Sequence, residues 1–400
     1  MASAIRSLRI EALKAPWRNE DARRCLSFEF LMAMFFGMAI MQTYYELLGL
    51  GQDKVNQLQS WLAIATVVAG IPGGWLADRF GIRRILIIGT ITQTVNAVYF
   101  AQCRTYGEFV GSLILSGISW ALLGGATSSL MMSTLNTSSY RTYEAWAVQM
   151  RCAGQIVAIV AGYFMVKYGT MMLPYQCQPV TYALCILVAI QLKKRFVTKR
   201  NALSAKVMVS TARDMLWHQP AVRYAVFFFG SISTGMGLIF WLIQPRLKEG
   251  GVAIPDLGLL YLAKNIAASV FGVVASLWVR SVRAGQFILL AGLCVGIVAS
   301  ALVPNIYGAI ALPLAHAFAN GLFLQVQRTT FRELLPDEGK RTTELAVASA
   351  FSSLYFALLS WAFGELAVAT SQRYTLIGIA ATTFITGGCA LWAHRRSLSQ

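Results

Sequence analysis

A chain of 400 residues with 56% hydrophobic and only 13% charged residues does not suit a water-soluble globule, where charged residues make up about 25%. The formal net charge of +17 would fit a nucleic-acid binder, but such a protein gathers Lys and Arg on one exposed face, and here they punctuate apolar segments. Nucleic acid is therefore excluded as a partner, and the lipid bilayer is the expected solvent.

In chain order, residues 1–26 read as a cytoplasmic tail with six basic groups, within which Ile5 to Leu13 suits a short amphipathic helix on the membrane surface. The apolar run that follows is longer than the 7–15 residues of a signal-peptide core, so it is expected to remain as an uncleaved first span. Apolar windows of about 20 residues, the length that crosses a bilayer, recur twelve times. They lie at about 27–48, 57–77, 85–103, 109–131, 146–166, 171–192, 224–244, 257–278, 286–303, 306–327, 345–364 and 374–393. In lipid each must be a helix, which satisfies its own backbone hydrogen bonds. The fold class is thus an all-α integral membrane protein with 12 transmembrane helices. A basic interruption at 193–223 divides it into two pseudo-symmetric six-helix bundles, 27–192 and 224–393, with a cytoplasmic tail at 394–400.

With the N-terminus inside, the cytoplasmic segments hold 26 of the 34 Lys and Arg residues and the outer loops hold six. That asymmetry follows the positive-inside rule and places both termini in the cytoplasm. The seven cysteines form no CxxC pair, and neither a zinc site nor a disulfide framework is signalled, although Cys103 and Cys177 are both expected near the outer face.

The segment from Gly74 to Arg84, between spans 2 and 3, has the parts of a conformational latch. Gly74 permits close helix approach and Gly81 a tight turn, Asp78 is able to cap a helix or pair with an arginine, and Arg79, Arg83 and Arg84 grip the inner leaflet. A fainter copy, Leu277 to Arg280, lies between spans 8 and 9 and lacks the acid.

The string Gly74, Leu76, Ala77, Asp78, Arg79, Gly81, Arg83, Arg84 closely resembles the signature loop of the major facilitator superfamily. Span count, length and central basic linker agree over nearly the whole chain, and Ile82 stands where that pattern usually has a basic residue. Trp241, Gln244 and Pro245 at the end of span 7, with Arg328, Leu334, Pro336 and Lys340 to Thr343 after span 10, resemble bacterial exporter-type members. Two marks of proton-coupled drug antiporters are missing, an arginine in span 4 and a Gly-Pro motif in span 5, which offers only Gly154 and Gly162. The resemblance implies a secondary transporter in a bacterial inner membrane. It would work as a monomer by alternating access, without a cofactor, on a proton or other ion gradient. Efflux of a drug-like compound or secondary metabolite is the first expectation, uptake of a nutrient or organic anion the second, and a transport-inactive sensor or assembly partner the third. No GxSxG, HExxH or phosphate-loop motif occurs, so an enzyme is not expected.

Charges inside the spans each call for a reason, since one at the bilayer centre costs about 2.5–3.5 kcal/mol on insertion scales. Lys264, followed by Asn265, lies too deep in span 8 to reach water easily and is the leading candidate for the substrate pathway. His316 and Asn320 share a face of span 10, and a histidine suits proton coupling. Glu29 in span 1 either carries a proton or snorkels to the cytoplasm. Arg151 and Gln155 share a face of span 5, where Arg151 either binds an anion or pairs with Glu29 or Glu144. Gln42 and Glu46 sit one turn apart near the outer surface, and Trp120 and Trp241 are placed by the resemblance on cavity-lining spans, where their rings are able to stack on substrate.

Overall fold

The computed structural model describes residues 17–124, 126–132, 135, 137–193, 210, 213–278, 281–334 and 338–398. The expected surface helix at 5–13 and the basic residues 194–200 of the linker lie outside them. The described longer elements are helices: α1 Glu20–Met32, α2 Met41–Leu47, α3 Gln52–Phe80, α4 Ile82–Gln102, α5 Tyr106–Leu123, α6 Ala126–Met132 and α7 Thr137–Tyr168. They continue as α8 Leu173–Gln191, α9 Pro220–Glu249, α10 Leu257–Trp278, α11 Val282–Leu302, α12 Asn305–Leu334, α13 Glu338–Ala369 and α14 Gln372–Leu398.

Local sequence sets many of these boundaries. Asn19 caps α1 by accepting from the Ala22 N–H at 3.0 Å, and Glu20 and Asp21 place negative charge at the positive end of the helix dipole. Thr105 and Glu108 form a capping box that starts α5, and Ser281 caps α11. Pro174 and Pro220 open α8 and α9, where a missing N–H costs nothing.

Among the described residues, α4, α5 and α7 to α14 are long and apolar enough to cross a membrane, which accounts for ten of the twelve expected spans. The second span is α3, 29 residues long. Its first turns carry Gln52, Asp53, Asn56, Gln57, Gln59 and Ser60, of which the last four are buried in protein, and the apolar stretch from Trp61 to Ala77 follows.

The first span departs from the expected continuous helix over 27–48. It stops at Met32 and restarts at Met41. Two α8 side chains hold the interruption. Gln178 accepts from the Phe36 N–H at 3.0 Å and donates to the Met34 carbonyl at 2.7 Å, and the Tyr175 hydroxyl donates to the Gly37 carbonyl at 3.2 Å. Non-helical backbone at membrane depth persists only where such partners exist. At Gly37 any Cβ would overlap the Tyr175 ring. Gln178→Leu should therefore destabilise the protein by about 1–3 kcal/mol for each backbone group left unpaired. A thermal scan in detergent checks this, and an unchanged midpoint would mean that the break is held by something else. In the fourth span α5 ends at Leu123 with Gly124 as its C-cap, and α6 begins at Ala126.

The chain separates into two compact units, Met1–Met38 with Val68–Ala202, and Ala39–Val67 with Leu203–Gln400. In the first, α4 packs on α5 and α8, and α1 packs on α7 and α8. Leu26, Leu86, Cys185 and Ala189 are fully buried there. In the second, α9 is the central helix, packed against α12, α13 and α14. Phe229 of α9 meets Phe323 and Phe331 of α12 with ring centroids 5.8 and 5.7 Å away.

Between spans 2 and 3 the turn is a single residue. Helix α3 continues to Phe80, Gly81 takes φ 86°, and α4 begins at Ile82. That positive φ is the conformation glycine allows without strain. Arg79 lies 5.7 Å from the Phe80 ring, Arg83 donates to the Ile190 carbonyl at the end of α8, and Arg84 is exposed. The surroundings of Gly74 and the side chain of Asp78 are outside what the structure describes.

Candidate functional site

Within the second unit, the side chain of Lys264 is buried inside the protein, with only 4% of the residue exposed. It is the eighth residue of α10, so it lies roughly 10 Å along the helix from Leu257 at 1.5 Å per residue. Its Nζ lies 5.2 Å from the centre of the Phe240 ring and 5.1 Å from that of Tyr261. Tyr261 precedes Lys264 by three residues and so shares its face of α10, while Phe240 comes from α9. No carboxylate lies within 4 Å of Nζ among the described residues.

His316 of α12 packs on the same Phe240 ring, with centroids 5.6 Å apart, so Phe240 contacts both candidate groups. His316 is buried, and its Nδ1 has no hydrogen-bond partner among the described residues. Nδ2 of Asn265 also has no partner among the described residues, but neighbouring helix residues point about 100° apart, so it belongs to a different face of α10 from Lys264. The cluster therefore contains a cation and an imidazole whose hydrogen-bonding capacity is incompletely used. Two rings attract an ammonium, each by about 0.5–2 kcal/mol, without neutralising it.

The cluster extends toward α2 of the first span through Gln244. Its Nε2 donates to the Tyr261 hydroxyl at 3.4 Å, and its Oε1 accepts from the Thr43 N–H at 3.1 Å. Further bonds in the same unit fasten α2 and the start of α3. Gln42 donates to Gln52, Lys248 pairs with Glu46, and Gln57 donates to Glu365 at 2.8 Å. Ser60 donates to the Ala357 carbonyl at 2.7 Å, and Ser360 donates to the Asn56 carbonyl at 2.9 Å. The Glu46–Lys248 pair is partly exposed, so a double-mutant cycle with Glu46→Gln and Lys248→Met should give a coupling of at most about 1 kcal/mol. A coupling several times larger in thermal scans would show that the pair is a principal fastening.

In the first unit, Glu29 and Arg151 come together. Arg151 Nη1 donates to Glu29 Oε2 at 2.9 Å, and the Thr127 hydroxyl of α6 donates to the other carboxylate oxygen. The Glu29 side chain is 13% exposed and that of Arg151 40%. Of the two readings for Arg151, the pairing with Glu29 is the arrangement present. Neutralising Glu29 would leave the guanidinium without this partner.

Of the remaining candidates, Trp241 borders the Lys264 cluster, its ring centroid 5.3 Å from that of Phe240 in a T-shaped contact. Asn320 is exposed whereas His316, one turn earlier, is buried. Gln155 and Trp241 are half-buried, and Trp120 is 46% exposed. All seven cysteines, Cys103 and Cys177 included, are free thiols. Sequence reasoning missed Phe240, Tyr261, Thr127, Thr43 and Lys248. Of these, Tyr261 was open to discovery from its three-residue spacing to Lys264, whereas Phe240 stands among many aromatics with no distinguishing mark.

No protein-family model matches the chain. Part of it is similar to the "Putative multidrug resistance protein MdtD" of Yersinia enterocolitica, at 27% identity over 108 residues. That stretch is 27% of this chain and 23% of the relative. The protein of that name from Serratia proteamaculans matches at 24% identity over the same length. The chain thus covers about a quarter of the length of the curated relatives it matches. Its fold, by contrast, matches end to end. The crystal structure of a point mutant of the nucleoside transporter NupG superposes with a TM-score of 0.77 at 12% identity, over 94% of this chain and all of that one. A second NupG structure gives 0.74 at 13% identity, over 94% of this chain and 99% of that one.

Proposed function

We propose that this chain, which has the major facilitator fold, is a secondary transporter that moves a small molecule across a bacterial inner membrane by alternating access. The observation that carries the reading is the end-to-end agreement with a transporter fold, in a chain whose helices suit a bilayer. Both termini lie in the cytoplasm on this reading, as the basic residues require. The protein works as a monomer without a cofactor and is not an enzyme. Export of a drug-like compound or secondary metabolite is the first reading of direction, supported by the partial likeness to a multidrug resistance protein. Uptake of an organic anion is the second, favoured by one observation, the buried Lys264 without a counter-charge.

An ion gradient supplies the energy, and the Glu29–Arg151 pair is a suitable coupling element. A proton delivered to Glu29 removes the negative charge that holds Arg151, and a charge pair that opens on protonation biases two conformations against each other. Reconstitution in proteoliposomes with an imposed pH gradient tests the proposal, using a panel of drug-like cations, neutral metabolites and organic acids. Flux of at least one compound, abolished by a protonophore, is the expected result. No flux of any compound across the panel would overturn transport in favour of a sensor or assembly role.

A further inference from the structure

Resting on the transport reading above, we infer that the Lys264 cluster of the second unit is the site that recognises the substrate, and that the substrate carries a carboxylate or phosphate group.

The inference starts from the hydrogen-bonding inventory. An ammonium has three donors and no acceptor. At Lys264 it faces two aromatic rings, with no carboxylate in reach among the described residues. Tyr261 and Gln244 are already engaged with each other, and Gln244 with Thr43, so they do not neutralise the cation. A buried cation with unused donors lacks a group that is anionic and rich in acceptors, and carboxylates and phosphates are both.

The surroundings narrow the class further. Phe240 presents its ring to Lys264 and to His316 at similar distances, and Tyr261 adds a second ring. A ligand whose anion meets Lys264 therefore meets an aromatic surface beside it, which suits a flat or apolar body of modest size. His316 Nδ1, buried and unpartnered, is able to donate or accept according to tautomer and so fixes the orientation of such a body. An anionic lipid headgroup shares the key chemistry, so the test must separate it from a soluble acid.

The test uses the purified full chain in nanodiscs of phosphatidylcholine alone or with phosphatidylglycerol added. Thermal unfolding, followed by tryptophan fluorescence, is measured with a library of small carboxylates and phosphates at millimolar concentration, each beside its neutral amide or ester. Wild type, Lys264→Met and Lys264→Arg are compared. The expected result is a rise of about 3 °C or more with some acids and not with their neutral counterparts, lost in Lys264→Met and partly kept in Lys264→Arg. The inference is overturned if neutral counterparts stabilise equally, if acids stabilise Lys264→Met as well as wild type, or if no acid stabilises the wild type. It is also overturned if phosphatidylglycerol alone reproduces the shift and abolishes the response to acids, since the occupant is then a lipid. In each of these cases, gradient-driven flux of a neutral compound would leave the transport reading standing, whereas the absence of any flux would remove both.

Discussion

Lys264→Met should unfold at the same temperature as the native chain or a higher one, yet lose at least about 30-fold in affinity for its ligand. The two effects separate because Lys264 is buried between rings without a counter-charge. Replacing buried charge by an apolar side chain of similar volume is often neutral or stabilising by about 1–4 kcal/mol, whereas removing one partner of a buried charge contact with a ligand costs about 2–5 kcal/mol. A residue retained for stability would behave in the opposite way. Thermal scans beside ligand titrations check the prediction, and a large drop in midpoint with unchanged affinity would make Lys264 a structural residue.

Gly154→Leu should give the largest loss of folded protein. At Gly154 a Cβ would overlap the Phe30 carbonyl, and at Gly162, two turns further along α7, it would overlap the Phe36 carbonyl. Helix α7 therefore lies against the backbone of the first span at two points, a contact that membrane helices make with small residues because close packing, not the hydrophobic effect, holds them together. Overpacking costs about 1–3 kcal/mol in an adaptable core and more against a backbone that cannot move aside. Arg151 is one turn from Gly154, so a displaced α7 also strains the pairing with Glu29. Gly388→Ala on α14 is the control, since its Cβ would meet nothing within 4 Å. Monodisperse yield and thermal midpoint in detergent should fall sharply for the first variant and not for the second. Equal behaviour would contradict the packing described.

Much of this was legible before any coordinates. A bilayer imposes one length and one polarity on every span, so apolar windows locate all ten of α4, α5 and α7 to α14, with both ends of α4, α8, α10 and α11 within four residues, whereas α7, α12 and α13 run five to nine residues past one end or both. Lys264 was visible because a charge in an apolar run is costly whatever its surroundings. The interruption of the first span was not, because residues 33–40 are as apolar as a helix would be and the groups that hold the break, Tyr175 and Gln178, lie about 140 residues away. The polar start of α3 was equally misleading. Asn56, Gln57, Gln59 and Ser60 read as the edge of a span, whereas they are buried and partly bonded to α13. Composition reports how polar a residue is and leaves open which neighbour satisfies it. For the same reason Glu29 and Arg151 could be named as partners only among alternatives, until the distance between them was known.

The most direct test of Lys264 as the substrate-binding cation of a transporter is counterflow. Proteoliposomes loaded with the acid that stabilises the protein most would be diluted into labelled acid, with wild type and Lys264→Met reconstituted in equal folded amounts. Transient accumulation of label by the wild type and none above empty vesicles by Lys264→Met is the predicted result. Accumulation by Lys264→Met at the wild-type rate would contradict it.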